Sequence, residues 1–118
     1  VAAECRIPHR LLFDHLDGFA LDAQGWRPKS EADLVRYCYH VAGAVGCMMA
    51  VVMGVPRHDE ATLDRACDLG MAFQLANIAR DLAEDARGGR YYLPGDWLAE
   101  TGLTPADLLD PSRREAVA

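Results

Sequence analysis

A chain of 118 residues has room for one domain. Its 12 Lys and Arg against 18 Asp and Glu give a formal net charge of −6, with 51% hydrophobic and 25% charged residues. That composition excludes a disordered, collagen-like or mucin-like chain, and the acidic balance excludes the electrostatic footprint of a nucleic-acid binder.

Strand signals are weak and helical periodicity dominates, so the expected fold class is all-α. A first helix is predicted over Pro8–Leu21, with Leu11, Leu12, His15, Leu16 and Phe19 at helical spacing. Ala23-Gln24-Gly25-Trp26-Arg27-Pro28 breaks it. Ser30 with Asp33 reads as an N-terminal cap and an acidic third residue, opening a second helix that runs to about Met53. Gly54-Val55-Pro56 ends it, and Asp59 caps a third helix that continues to about Arg87, where Gly88-Gly89 stops it. Two short helices follow, Asp96–Thr101 and Pro105–Leu109, the second capped by Thr104 with Pro105 in its first turn.

Between Arg36 and Arg57 there is no Asp, Glu, Lys or Arg. That length suits a bilayer span of about 20 residues. His40, Gly43, Gly46, Gly54 and Pro56 dilute its apolar character, so a helix buried in a bundle or lining an apolar cavity is the better expectation. Tyr37, Val41, Ala44 and Met48 form one stripe on it, suited to a core or a pocket. Ala42, Gly46, Ala50 and Met53 form a second stripe nearly opposite, which lets a neighbouring helix approach closely. The four cysteines, Cys5, Cys38, Cys47 and Cys67, make no CxxC pair and have no His at zinc-ligand spacing. They are expected to be separate thiols in a reducing compartment. No N-terminal stretch has the pattern of a secretory signal.

The third helix carries the unusual feature. At 100° per residue from Gln74, Asn77 falls at about −60°, Asp81 at about −20° and Asp85 at about +20°. This oxygen-bearing stripe borders the apolar face of Met71, Leu75, Ile78 and Leu82, while Arg80, Glu84 and Arg87 lie round the other side. Carboxylates at a core edge are costly to desolvate unless paired or metal-bound, and two Asp at i and i+4 repel. A divalent cation removes both problems. Mg²⁺ takes hard oxygen ligands and substrate phosphates, so such a site would hold a diphosphate as leaving group. The same spacing also fits an ordinary acidic helix face paired with Arg65, Arg87 or Arg90.

The run Tyr37-Cys38-Tyr39-His40-Val41-Ala42-Gly43-Ala44-Val45-Gly46 resembles the first signature of the squalene and phytoene synthase family. The run Leu69 to Asp85, with Arg90-Tyr91-Tyr92-Leu93-Pro94 after it, resembles the second. The texture is similar to that of the family's bacterial phytoene synthases. The resemblance implies part of an isoprenoid-synthase-type helical bundle. It implies head-to-head condensation of two geranylgeranyl diphosphates to phytoene through prephytoene diphosphate, the committed step to carotenoids. Squalene or dehydrosqualene synthesis from farnesyl diphosphate is the alternative. A non-catalytic helical relative acting as an assembly factor is another.

Carried over by position, Asp81 and Asp85 are the catalytic second Asp-rich motif, with Asn77 joining them around Mg²⁺ or Mn²⁺ and Gln74 completing the polar site. Arg80 follows the family's diphosphate-contacting arginine, although the angle count sets it away from the aspartates. Tyr37, Val41, Ala42, Val45 and Gly46 would line the prenyl tunnel, with Ala66 and Gly70 opposite. Arg90-Tyr91-Tyr92 would either fold over the diphosphate or anchor its loop through the aromatics. His9, His15 and His58 are expected to be structural or exposed, His40 has no assigned role, and Trp26 and Trp97 are packing residues.

The family uses two facing Asp-rich motifs, and Asp14, Asp17 and Asp22 do not form the first at its expected place. Residues 1–118 are therefore expected to be a single partial domain, with the first motif upstream of Val1 and closing helices beyond Ala118. Alone, the segment is expected to be inactive and aggregation-prone, since its apolar faces would lack the missing parts of the chain. The prenyl substrate and product imply a cytoplasmic enzyme with peripheral association at the inner membrane.

Overall fold

Two of the helices begin at side chains that compete for their first free backbone amides, and two others begin just after a proline. A computed structural model describes residues 7–113 and 117. Cys5 lies outside these residues. The helices are α1 (His9–Ala23), α2 (Glu31–Cys38), α3 (Ala44–Val52), α4 (Glu60–Arg80), α5 (Leu82–Arg87) and α6 (Gly95–Thr101), followed by 3₁₀ turns at Pro105–Leu109 and Pro111–Arg113. No strand occurs among the described residues. Ser30 Oγ accepts from the Asp33 amide at 3.3 Å, and Asp33 accepts in return from the Lys29 amide at 3.0 Å. Asp59 accepts from the Thr62 amide at 3.2 Å, so the caps predicted at Ser30 and Asp59 form. Gly89, at φ 78°, closes the chain behind α5.

Two of the expected long helices are interrupted. Between α2 and α3 the turn Tyr39–Gly43 is π-helical. It fits an extra residue into the helix, so a stripe drawn at a constant 100° from Tyr37 loses phase beyond it. The second interruption is at Asp81, whose φ −103° and ψ 14° leave the helical region between α4 and α5. Hydrogen bonding continues across it: the Asp81 amide reaches the Asn77 carbonyl at 3.0 Å, and the Asp85 amide the Asp81 carbonyl at 2.8 Å.

α3 and the π turn cross α4 at backbone distance. A Cβ on Gly46 would lie 2.3 Å from the Ala66 carbonyl oxygen, and one on Gly70 would lie 2.4 Å from that of Ala42. Glycine is required at both positions, and the predicted small-residue stripe performs this contact. α1 packs on the π turn and α3 from the other side. The run Glu31–Val52 is long and apolar enough to cross a membrane by composition, and here it is packed between α1 and α4.

A second junction holds the ends of the helices together. Asp22, at the end of α1, accepts from Tyr37 Oη at 2.9 Å and from Tyr92 Oη at 3.0 Å. Tyr37 is stacked between Trp26 and Tyr92, at ring separations of 5.0 and 5.2 Å. Arg27 covers the Tyr91 ring at 4.2 Å, and the Gly95 and Asp96 amides bond to the Pro28 and Lys29 carbonyls. Arg90-Tyr91-Tyr92 thus anchors its loop through both tyrosines.

The described residues form an elongated body of 52 × 26 × 20 Å, with a radius of gyration of 16.4 Å. A compact domain of this length has about 13 Å. Phe13, Leu16 and Phe19 on α1, and Leu69 and Phe73 on α4, are exposed accordingly.

In the full-length protein, Gly46→Ala and Gly70→Ala should each lower stability by about 2 kcal/mol, because the new Cβ meets backbone that cannot give way. Gly88→Ala, whose Cβ would stand 3.4 Å from its nearest neighbour, should leave the urea midpoint nearly unmoved. Asp22→Ala strips two buried hydroxyls of their acceptor and should cost about 2 kcal/mol, against about 1 kcal/mol for Tyr92→Phe. Urea denaturation of the set checks all four.

Candidate active site

The helix crossing leaves a groove of about 430 Å³ along one side. Val41, Ala42, Val45 and Gly46 line it from the π turn and α3, and Ala66, Gly70, Gln74 and Asn77 line it from α4. These are eight of the positions expected to meet substrate. Met49 on α3, Met53 just after it, and Leu69 and Phe73 on α4 extend its apolar rim and are exposed. The sequence reading did not single out these four as substrate residues. Leu69, Phe73 and Gly70 do share one α4 face at helical spacing, which is the signal that could have found them.

The groove has a chemical polarity. Its walls are apolar except for the amides of Gln74 and Asn77. Asp81 and Asp85 follow one and two turns beyond Asn77. Neither aspartate borders the groove itself.

Arg80 is placed differently from the angle count. With the helix interrupted at Asp81, the Arg80 guanidinium reaches forward and grips that carboxylate with two hydrogen bonds, Nε to Oδ1 at 2.8 Å and Nη2 to Oδ2 at 2.7 Å. This fork holds the Asp81 carboxyl below its ordinary range. Arg65, Arg87 and Arg90, the pairing partners considered for an ordinary acidic face, do not take that role among the described residues. Asp85 moves the opposite way. Burial pushes it up first, then the charge of Asp81, and Arg90 opposes them in part. An aspartate without a cationic fork, near other carboxylates, is under-neutralised.

Tyr37 stands apart from the other expected tunnel residues. It is 2% exposed, fixed by Asp22, Trp26 and Tyr92, and does not border the groove. It lies on the stripe nearly opposite Ala42 and Gly46, and the aromatic junction with Trp26, Tyr92 and Asp22 holds it there. Asp22 itself was not expected to have this role, and its partners lie 15 and 70 residues away in sequence.

A further group, Asp14, Asp17 and His40, offers carboxylate oxygens and a ring nitrogen within 4.8 Å of one another and could hold a metal ion. His40 Nδ1 is 2.9 Å from the Asp14 carbonyl, and Tyr39 Oη donates to the Asp14 carboxylate at 2.5 Å. His15, expected to be structural or exposed, has Nδ1 3.2 Å from the His40 carbonyl. None of these residues lines the groove.

The sequence profile of the squalene/phytoene synthase family matches residues 1–118. A 15-cis-phytoene synthase from Enterobacter agglomerans is 62% identical over 106 residues, covering 90% of this chain and 35% of that protein. A phytoene synthase from Pseudescherichia vulneris is 55% identical over 118 residues, covering 100% of this chain and 38% of that protein. The chain therefore spans little more than a third of the length of these curated relatives. A crystal structure of a dehydrosqualene synthase in complex with ligand superposes with a TM-score of 0.82 at 32% identity, over 95% of this chain and 40% of that one. With its sequence matched from end to end and its helices arranged as in a solved synthase, the chain belongs to the squalene/phytoene synthase family.

Proposed function

We propose that the full-length protein is a phytoene synthase, joining two geranylgeranyl diphosphates head to head through prephytoene diphosphate. One observation carries this assignment: an apolar groove that turns polar at Gln74 and Asn77, with Asp81 and Asp85 beyond. An isoprenoid diphosphate has the same polarity, a long hydrocarbon ending in a dense charge. The identities of 62% and 55% to phytoene synthases support the twenty-carbon substrate over the alternative. The likeness to a dehydrosqualene synthase, at 32% identity, keeps farnesyl diphosphate as the second reading.

In this proposal the prenyl chain lies between Val41, Ala42, Val45 and Gly46 on one side and Ala66 and Gly70 on the other. Those walls carry no nucleophile, and with the exposed rim covered they would shield a carbocation from water on its way to product. Tyr37 acts from behind, fixing the orientation of the helix that supplies Val41.

The donor set suits a hard cation. Asn77, Asp81 and Asp85 present an amide and two carboxylates, and the raised Asp85 carboxyl is a charge that a cation would settle. Mg²⁺, or Mn²⁺, supplies Lewis-acid stabilisation of the departing diphosphate when bound there. Arg80, now committed to Asp81, is placed to share its guanidinium with a diphosphate oxygen. The rest of the chain would supply the facing acidic motif and cover the exposed faces of α1 and α4. Cytoplasmic location with peripheral attachment to the inner membrane follows from the lipid character of substrate and product.

Full-length protein incubated with geranylgeranyl diphosphate and Mg²⁺ should yield a forty-carbon hydrocarbon by mass spectrometry. Chelation should abolish it, and Asp81→Ala or Asp85→Ala should each lower the rate at least about 100-fold. A thirty-carbon product from farnesyl diphosphate alone would move the substrate and keep the site. A folded protein inactive with both substrates would make it a non-catalytic relative. Val45→Phe, which fills the groove, should slow turnover of the twenty-carbon substrate more than that of the fifteen-carbon one.

A further inference from the structure

The α3–α4 crossing has a second side, and two thiols stand on it. Cys47 on α3 is buried, and Cys67 on α4 packs against the same cluster of Leu11 and Ala44. Cys47 Sγ donates to the Leu63 carbonyl at 3.5 Å. Within α4 that carbonyl is the acceptor of the Cys67 amide, so the Cys47 sulfur sits one turn before Cys67. Reciprocally, Cys67 Sγ would stand 2.9 Å from a Cβ at Gly43, one turn before Cys47. The two sulfurs are therefore staggered across the crossing, each over the turn that precedes the other residue. The residues directly before them, Gly46 and Ala66, are in backbone contact. Close backbone approach is what a disulfide requires, since its Cα atoms must lie within about 7 Å.

Both cysteines also border a cavity of about 260 Å³, rimmed by Arg57, Glu60 and Asp64. It shares no lining residue with the groove. A small polar oxidant can enter there without passing the substrate site.

We infer that Cys47 and Cys67 form a dithiol site that a peroxide closes to a disulfide, bridging the helix crossing behind the groove. The balance is simple. The Cys67 sulfur attacks the peroxide O–O bond and becomes a sulfenic acid, releasing one water after proton transfer. The Cys47 thiol then displaces the sulfenic oxygen as a second water and forms the S–S bond. Two electrons pass from the two sulfurs to hydrogen peroxide, and both thiol protons leave in water. Cys67 is the first to react because it is the more exposed of the two. Burial, then the neighbouring Cys47, pushes its thiol up to about 11, so little thiolate is present at neutral pH and the reaction calls for peroxide in excess. Four separate thiols were the expectation from sequence, and this pairing is visible only once the helices cross. It does not depend on the prenyl chemistry proposed above.

The test uses full-length protein treated with excess hydrogen peroxide, blocked with an alkylating agent, digested without reduction and analysed by mass spectrometry. The Cys47 and Cys67 peptides should appear joined, lighter than their sum by two hydrogens, and should separate with dithiothreitol. Cys38, at 0% exposure, should alkylate only after denaturation. In Cys47→Ser, Cys67 should gain oxygen atoms instead of a partner, and Cys47→Ala serves if the serine variant fails to fold. Recovery of both cysteines alkylated after peroxide, or their linkage to other cysteines, would overturn the inference. So would oxygen uptake at each cysteine separately in the unsubstituted protein.

Discussion

The rest of the structure depends on two glycines that let one helix lie on another with no side chain between them. Gly46 against Ala66 and Gly70 against Ala42 bring α3 and α4 to backbone distance. The distance is closest at these points, so the space widens on either side of them. On one side, the widening is walled by small and aliphatic residues and becomes the groove. On the other, it is occupied by Cys47, Cys67 and the polar cavity beside them. A bulkier pair at the crossing would separate the helices and change both spaces together.

The polar end of the groove depends on a different constraint. The chain leaves helical geometry at Asp81, and this one departure lets Arg80 turn onto the carboxylate that follows it. Asp81 is neutralised locally, while Asp85 carries its charge into a half-buried place beside other acids. The loop after α5 is held by Tyr91 under Arg27 and by Tyr92 on Asp22, which limits how far Asp85 can drift.

Much of this was legible in the sequence because its causes are local. Ser30 and Asp59 compete for nearby amides, so the caps could be read from a few residues. The small-residue stripe and the family signatures likewise named eight groove positions. What escaped was phase and distance. The break at Asp81 shifts the angular count, which set Arg80 away from the aspartates, whereas Tyr37 was placed with the groove by the resemblance and belongs to the aromatic junction instead. Asp22, Tyr37 and Tyr92 meet from three separate segments, and no spacing rule connects them. The thiol pair was hidden for the same reason.

The π turn at Tyr39–Gly43 divides one continuous helix into two rotational settings. The half before it answers to the aromatic junction at Tyr37, and the half after it answers to the groove at Val45 and Gly46. Anchoring and lining are thereby uncoupled along a single segment. A substitution at Val45 can therefore reshape the cavity wall downstream while the anchor at Tyr37 upstream keeps its register.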